Sequence, residues 1–163
     1  MNRIRAFIAV LITIILQVSI FSRIEVFGVS PNLAIPVITA LSIGFGSFSG
    51  GYSGLAMGLV EDILFSKVIG FRALIYFVMG FMIGNNEYRL NIKENKTGMI
   101  ITAISTFAFY LVFLAVQLFI GNTKLINYLK GPIFLEIFMN IIIYYLVMKI
   151  FRKIFIFPNV RYY

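Results

Sequence analysis

The sequence predicts an all-α integral membrane protein, a six-transmembrane-helix bundle forming a single transmembrane domain over residues 1–163. Three observations carry that expectation. Hydrophobic residues make up 61% of the chain and charged residues only 12%, with a mean hydropathy of +0.99. A chain of this length cannot hide so much apolar surface in a water-soluble core, so lipid is the solvent for most of it. The apolar residues come in long runs separated by short polar or glycine-rich breaks, without the period-two alternation of a transmembrane β-barrel. The cations gather at the ends of those runs, where they anchor spans and set topology.

Composition also narrows the chemistry. The net charge is +8, but no basic patch interleaves with exposed aromatics, so nucleic acid is not an expected partner. There is no cysteine and no histidine. That removes disulfides, thiol nucleophiles, the usual zinc and haem ligation, and histidine acid/base chemistry. Six acids remain, and no cofactor, metal or enzymatic activity is expected from them.

The first span is placed at 6–22, behind a basic start with Arg3 and Arg5. Its charge layout is that of a signal peptide. The apolar run is too long for one, however, and no small-x-small cleavage site follows, so it reads as an uncleaved span. Residues 23–32 form a loop. The second span covers 33–48, with Pro36 in its first turn, where proline is tolerated. From Leu33 to Phe65 the chain is too long for one span and suits two short ones. At about 1.5 Å per residue, roughly 17 residues barely cross a hydrocarbon core of about 30 Å. The Gly/Ser cluster at 44–51 therefore predicts a tight hairpin at 46–50. A re-entrant element is the alternative, and it would reverse everything that follows.

The third span covers 50–66 and the fourth 71–86, with a short connection between them. Residues 85–97, NNEYRLNIKENKT, are the most polar stretch and form a solvent loop, either a plain positive anchor or a dock for a cytoplasmic partner. The fifth span covers 98–120. After a loop at 121–130, Pro132 opens the sixth, at 131–149, and a basic, aromatic tail lies along the interface. One side of the membrane then collects Arg3, Arg5, Arg89, Lys93, Lys96, Lys149, Arg152, Lys153 and Arg161. The other collects Arg23, Lys67, Arg72, Lys124 and Lys130. The positive-inside rule places both termini in the cytoplasm.

The third span holds the most informative pattern. Gly50, Gly54 and Gly58 recur at steps of four, and the next step is Asp62. On a helix these stack along one face, a strip almost without side chains that ends in a carboxylate. Such strips let a second backbone approach closely. The strip either packs helices of this chain or accepts a partner's span, with Asp62 setting register. Gly80 and Gly84 repeat the spacing in the fourth span. Glu61 points about 100° away from Asp62, so the two acids make no dyad. They sit either in the headgroup region or in the wall of a cavity. A proton or cation relay through Asp62 is a minor option. Glu136 and Asn140 share a face of the sixth span, and with Glu61 and Gln117 they are the candidates for a polar pocket. The plainer role for these groups, and for Gln17, is interhelical hydrogen bonding.

The run PNL at Pro31–Leu33 and the segment GGYSGLAMGLVEDILFSKVIGFRALIYFVMGFMIG resemble the MreD family. Its pattern, roughly Gly-Leu-x-x-Asp followed by Gly-x-x-Ala-Leu, is met by Gly54, Gly58, Leu59, Asp62, Gly70, Ala73 and Leu74. Members often carry an acid after the proline, where this chain has Asn32. The motif support covers residues 28–84, and the rest agrees in length and topology. The resemblance implies a non-enzymatic scaffold of bacterial cell-wall elongation in the cytoplasmic membrane. Its implied partners are an MreC-like single-span coiled-coil protein, the MreB filament, the polymerase RodA and a transpeptidase. The six-span architecture is also similar to the substrate-binding subunits of energy-coupling-factor vitamin transporters. That is a likeness of fold, which does not carry function. It supplies the alternative reading, in which Glu136, Asn140, Gln117 and Asp62 would line a vitamin pocket. Against it, the first span lacks a small-residue coupling motif beyond Ala6 and Ala9.

Overall fold

A helix lies over each of the six apolar runs in the computed structural model, which describes residues 2–25, 27–66, 69–85, 95–119 and 132–155. The helix α1 (Asn2–Leu16) continues into a π-helical turn, Gln17–Phe21. The wider turn is marked by the i to i−5 bond from Ser22 N–H to the Gln17 carbonyl, 2.9 Å. The Gln17 side chain reaches sideways and accepts the Leu33 N–H at 2.8 Å.

The helix α2 (Ala34–Phe45) is capped by Asn32, whose Oδ1 accepts the N–H groups of Ala34 and Ile35 at 3.0 and 3.3 Å. Its residues from Ala34 to Gly44 are all buried. Twelve residues rise only about 18 Å, well short of a bilayer core. The shortness is tolerable because protein surrounds α2 and can satisfy the polar groups at its ends. It is apolar on every face, as a central helix must be.

The break after α2 falls on one residue. Gly46 adopts φ 86° and ψ −178°, a conformation that is essentially glycine's alone. The helix α3 (Ser47–Phe65) then doubles back along α2. Gly50 lies on Ser42 near the turn, while Met57 and Glu61 flank Ala34 at the far end. The turn expected at 46–50 is thus sharper than anticipated, and α3 begins at Ser47 rather than at 50.

Among the described residues three more helices follow: α4 (Phe71–Asn85), α5 (Asn95–Phe119) and α6 (Pro132–Ile154). The last runs beyond residue 149, into the start of the basic tail. The loop residues 86–94 and 121–131, and the tail from 156, lie outside the described residues. Antiparallel neighbours follow from paired contacts. Arg72 and Tyr76 of α4 meet Phe113 and Phe109 of α5. Tyr110, Thr106 and Gly98 of α5 meet Glu136, Asn140 and Tyr144 of α6. Arg5 donates to the Ile154 carbonyl at 2.7 Å, so the start of α1 and the end of α6 share one end of the bundle. Asn32, Asp62 and Arg72 gather at the other.

The core consists of α2 with residues such as Met57, Tyr76, Tyr144 and Met148 packed around it. Large apolar side chains on the outer faces are exposed, among them Phe7, Ile63, Leu74 and Phe134. Among the described residues, three stretches are long and apolar enough to cross a membrane: Ile4–Phe21, Asn95–Val116 and Ile133–Ile154.

Candidate functional site

The glycine strip of α3 faces α4, and the two helices run together as a zipper. Gly50 meets Gly80, Gly54 meets the backbone of Tyr76, Gly58 meets that of Ala73, and Gly84 meets Gly46 and Ser47. A Cβ at any of these five glycines of α3 and α4 would collide with backbone atoms, which cannot swing aside as a side chain can. The strip is therefore filled by this chain's own α4 and is not open to a partner. Gly51, off the strip, faces Phe77, whose ring lies 3.3 Å and whose carbonyl oxygen 3.5 Å from the position a Cβ would take.

Asp62 ends the strip and closes the zipper. Its Oδ2 accepts the N–H groups of Gly70, Arg72 and Ala73, at 2.9, 2.9 and 3.2 Å. These are orphan donors at the start of α4, so Asp62 caps that helix from across the α3–α4 turn. The carboxylate also faces the positive end of the α4 dipole. Gly70 enters the cap at φ 97°, where a side chain would be strained. The spacing from Gly58 through Asp62 to Gly70 and Ala73 thus describes one clasp: a glycine opposite a small residue, and an acid over a helix start.

Glu61 turns the other way, into the bundle. Its Oε2 pairs with Arg72 Nη1 at 3.3 Å and accepts from the Tyr76 hydroxyl at 3.1 Å. Tyr76 in turn accepts from the Asn32 amide at 2.7 Å. The Asn32 backbone N–H donates to Asn140 Oδ1, and the Asn140 amide donates to Thr106 Oγ1, both at 3.1 Å. A line of polar groups therefore runs from Arg72 and Glu61 through Tyr76, Asn32 and Asn140 to Thr106. It ties α4, α3, the cap of α2, α6 and α5 together. Glu136, one turn before Asn140, is fully buried and accepts from the Tyr110 hydroxyl of α5.

The two adjacent acids, expected either near the headgroups or in a cavity wall, are enclosed by protein, with Glu61 5% exposed and Asp62 fully buried. Glu61 and Asn140 belong to one hydrogen-bonded line, while Glu136 bonds separately. The side chain of Gln117 lies outside the described residues. Arg72, counted from sequence as a loop cation, folds inward onto Glu61 and sits 5.6 Å from the centre of the Phe113 ring. Reading the sequence missed Arg72, Tyr76 and Asn32 as parts of this arrangement. Asn32 alone carried a signal, being an Asn just before an apolar helix, where it caps. The pairing of Tyr76 with Glu61 needed the fold. Among the described residues no group of acids is placed to hold a metal ion.

Every one of these polar groups is engaged in holding one helix to another. The fold and site define a helical membrane protein whose buried polarity is architectural. The family described as rod shape-determining protein MreD matches residues 2–154, nearly the whole chain, and this chain belongs to that family. No curated protein and no solved structure matches it.

Proposed function

We propose that this chain is a non-enzymatic scaffold subunit of the bacterial cell-wall elongation complex that binds an MreC-like single-span, coiled-coil partner. MreB, RodA and a transpeptidase complete the assembly. Membership of a shape-determining family carries this reading. The use of Asp62 as a helix cap and of Glu61 and Asn140 as interhelical ties supports it, because these groups already have structural work. The protein spans the cytoplasmic membrane six times as one domain, with both termini inside. The short α2 and α4 cross as parts of the bundle rather than as independent spans. The architecture is of the kind seen in vitamin-binding transporter subunits, without their function.

The test is gentle solubilisation of tagged protein and identification of what co-purifies. A bitopic coiled-coil protein together with wall synthases is expected. A pair of ATPases with a helical coupling protein would overturn the scaffold reading in favour of transport.

A further inference from the structure

Two membrane-crossing stretches meet at one contact. Ile4–Phe21 begins, and Ile133–Ile154 ends, where Arg5 Nη1 donates to the Ile154 carbonyl at 2.7 Å. The contact therefore lies where both helices leave the hydrocarbon, at the level of the lipid headgroups. It helps to hold α1, whose span is only 11% buried. The carbonyl belongs to the last turn of α6, which also carries Arg152 and Lys153. Arg5 thus arrives from a second helix at an end that is already basic, and Lys153, next to Ile154 in the chain, is exposed. Among the described residues every acid lies elsewhere: Glu25, Glu61 and Asp62 toward the opposite end, and Glu136 enclosed between α5 and α6. Like charges drawn together from two helices repel, and an anion between them relieves the repulsion. The surface below the contact is apolar. Ile4 and Ile8 of α1 are exposed one turn apart, as are Ile150 and Ile154 of α6.

We infer that Arg5 and Lys153 hold the phosphate of one anionic diacyl phospholipid, whose acyl chains lie along Ile4, Ile8, Ile150 and Ile154. The lipid then fastens α1 to α6. A guanidinium presents several N–H donors in a fixed fork, so Arg5 can serve the carbonyl and a phosphate together. Basic sites between membrane helices at the headgroup level take anionic headgroups in this way. A small free anion would leave the isoleucine faces uncovered, whereas a lipid meets both the cations and the apolar wall. A zwitterionic lipid brings its own cation to the phosphate and leaves the charge of Arg5 and Lys153 unbalanced. The site depends on where α1 and α6 end and is independent of the scaffold reading.

The test is native mass spectrometry of the whole chain in mild detergent, with dioleoyl phosphatidylglycerol or dioleoyl phosphatidylcholine added at equal concentration. Retention of phosphatidylglycerol over phosphatidylcholine is expected. Arg5→Gln and Lys153→Gln should each weaken that retention about fivefold, the weight of one basic residue at an anionic leaflet. Lys153 is exposed, so its replacement probes the site without disturbing the packing. Lys96→Gln removes the same charge from the start of α5, at the same end of the bundle, and should leave retention unchanged. In a thermal melt, phosphatidylglycerol should raise the melting temperature of the unaltered chain more than that of Arg5→Gln, and glycerol phosphate should raise neither. Equal retention of the two lipids, full retention in Arg5→Gln and Lys153→Gln, or an equal loss in Lys96→Gln would overturn the site. Protection by glycerol phosphate alone would overturn the lipid as its occupant.

Discussion

Asp62 and Tyr76 show how a single polar atom can organise a helical interface. Asp62 Oδ2 takes three backbone donors at the start of α4. Asp62→Ala leaves them without this acceptor, which is itself fully buried. A loss of roughly 1–3 kcal/mol is expected, the cost of unsatisfied buried groups, and it reads as a lowered melting temperature in mild detergent. Asp62→Asn keeps one acceptor oxygen and should lose less. The order Asp, Asn, Ala is the signature of capping. A proton or cation relay through Asp62 would instead spare the melting temperature in both variants. Tyr76→Phe removes the hydroxyl that accepts from Asn32 and donates to Glu61. It keeps the ring stacked near Phe109. A loss of about 1–3 kcal/mol is again expected by thermal unfolding, because the buried Glu61 and the partly buried Asn32 lose their shared partner.

At the scale of elements, α3 and α4 behave as one unit. Gly54→Leu or Gly58→Leu drives a side chain into the α4 backbone, so the helices must part. The chain should still enter the membrane, since neither change reduces its hydrophobicity. The expected result is a protein that inserts normally but melts early and loses its partner. Gly51→Ala is the control on the same helix. Its new methyl meets the movable Phe77 ring at 3.3 Å and no backbone atom closer than 3.5 Å, and the helix propensity of alanine over glycine, about 1 kcal/mol, offsets the tight contact. Equal damage from Gly51→Ala and Gly54→Leu in a thermal melt would show that the strip has no special role. The short α2 is the other notable element. It is too short to span alone and too apolar to face water, so its position depends on the helices around it.

At the scale of the whole molecule, the alternation of helices puts the start of α1 beside the end of α6, through Arg5 and Ile154. In the proposed topology that basic end lies in the cytoplasm. Single cysteines at Glu25 and Lys153, both exposed, test the arrangement in intact cells. The cysteine at position 25 should react with an impermeant thiol reagent from outside, and that at position 153 only after permeabilisation. Labelling at both from outside would mean an odd number of crossings, as a re-entrant element at 46–50 would produce. The native chain contains no cysteine, so the background is clean.

The helical class, the approximate positions of the six helices and the bare glycine face of α3 were legible in the sequence. Those signals are local or periodic: hydrophobic runs, glycine spacing, and prolines at helix starts such as Pro36 and Pro132. It also singled out Asp62 through its register with Gly50, Gly54 and Gly58. Only the tertiary structure decided which helix occupies that strip, because spacing shows that a face is bare and not what lies against it. The sequence likewise left Glu61 as a headgroup acid or a pocket candidate, Arg72 as a loop cation and Tyr76 as an ordinary apolar-span residue. Their pairing depends on the Gly46 turn, which folds α3 along α2, and on the α3–α4 zipper, which carries residues 61 and 76 together. Contacts between distant segments are set by how whole helices pack, and no window along the chain contains that information.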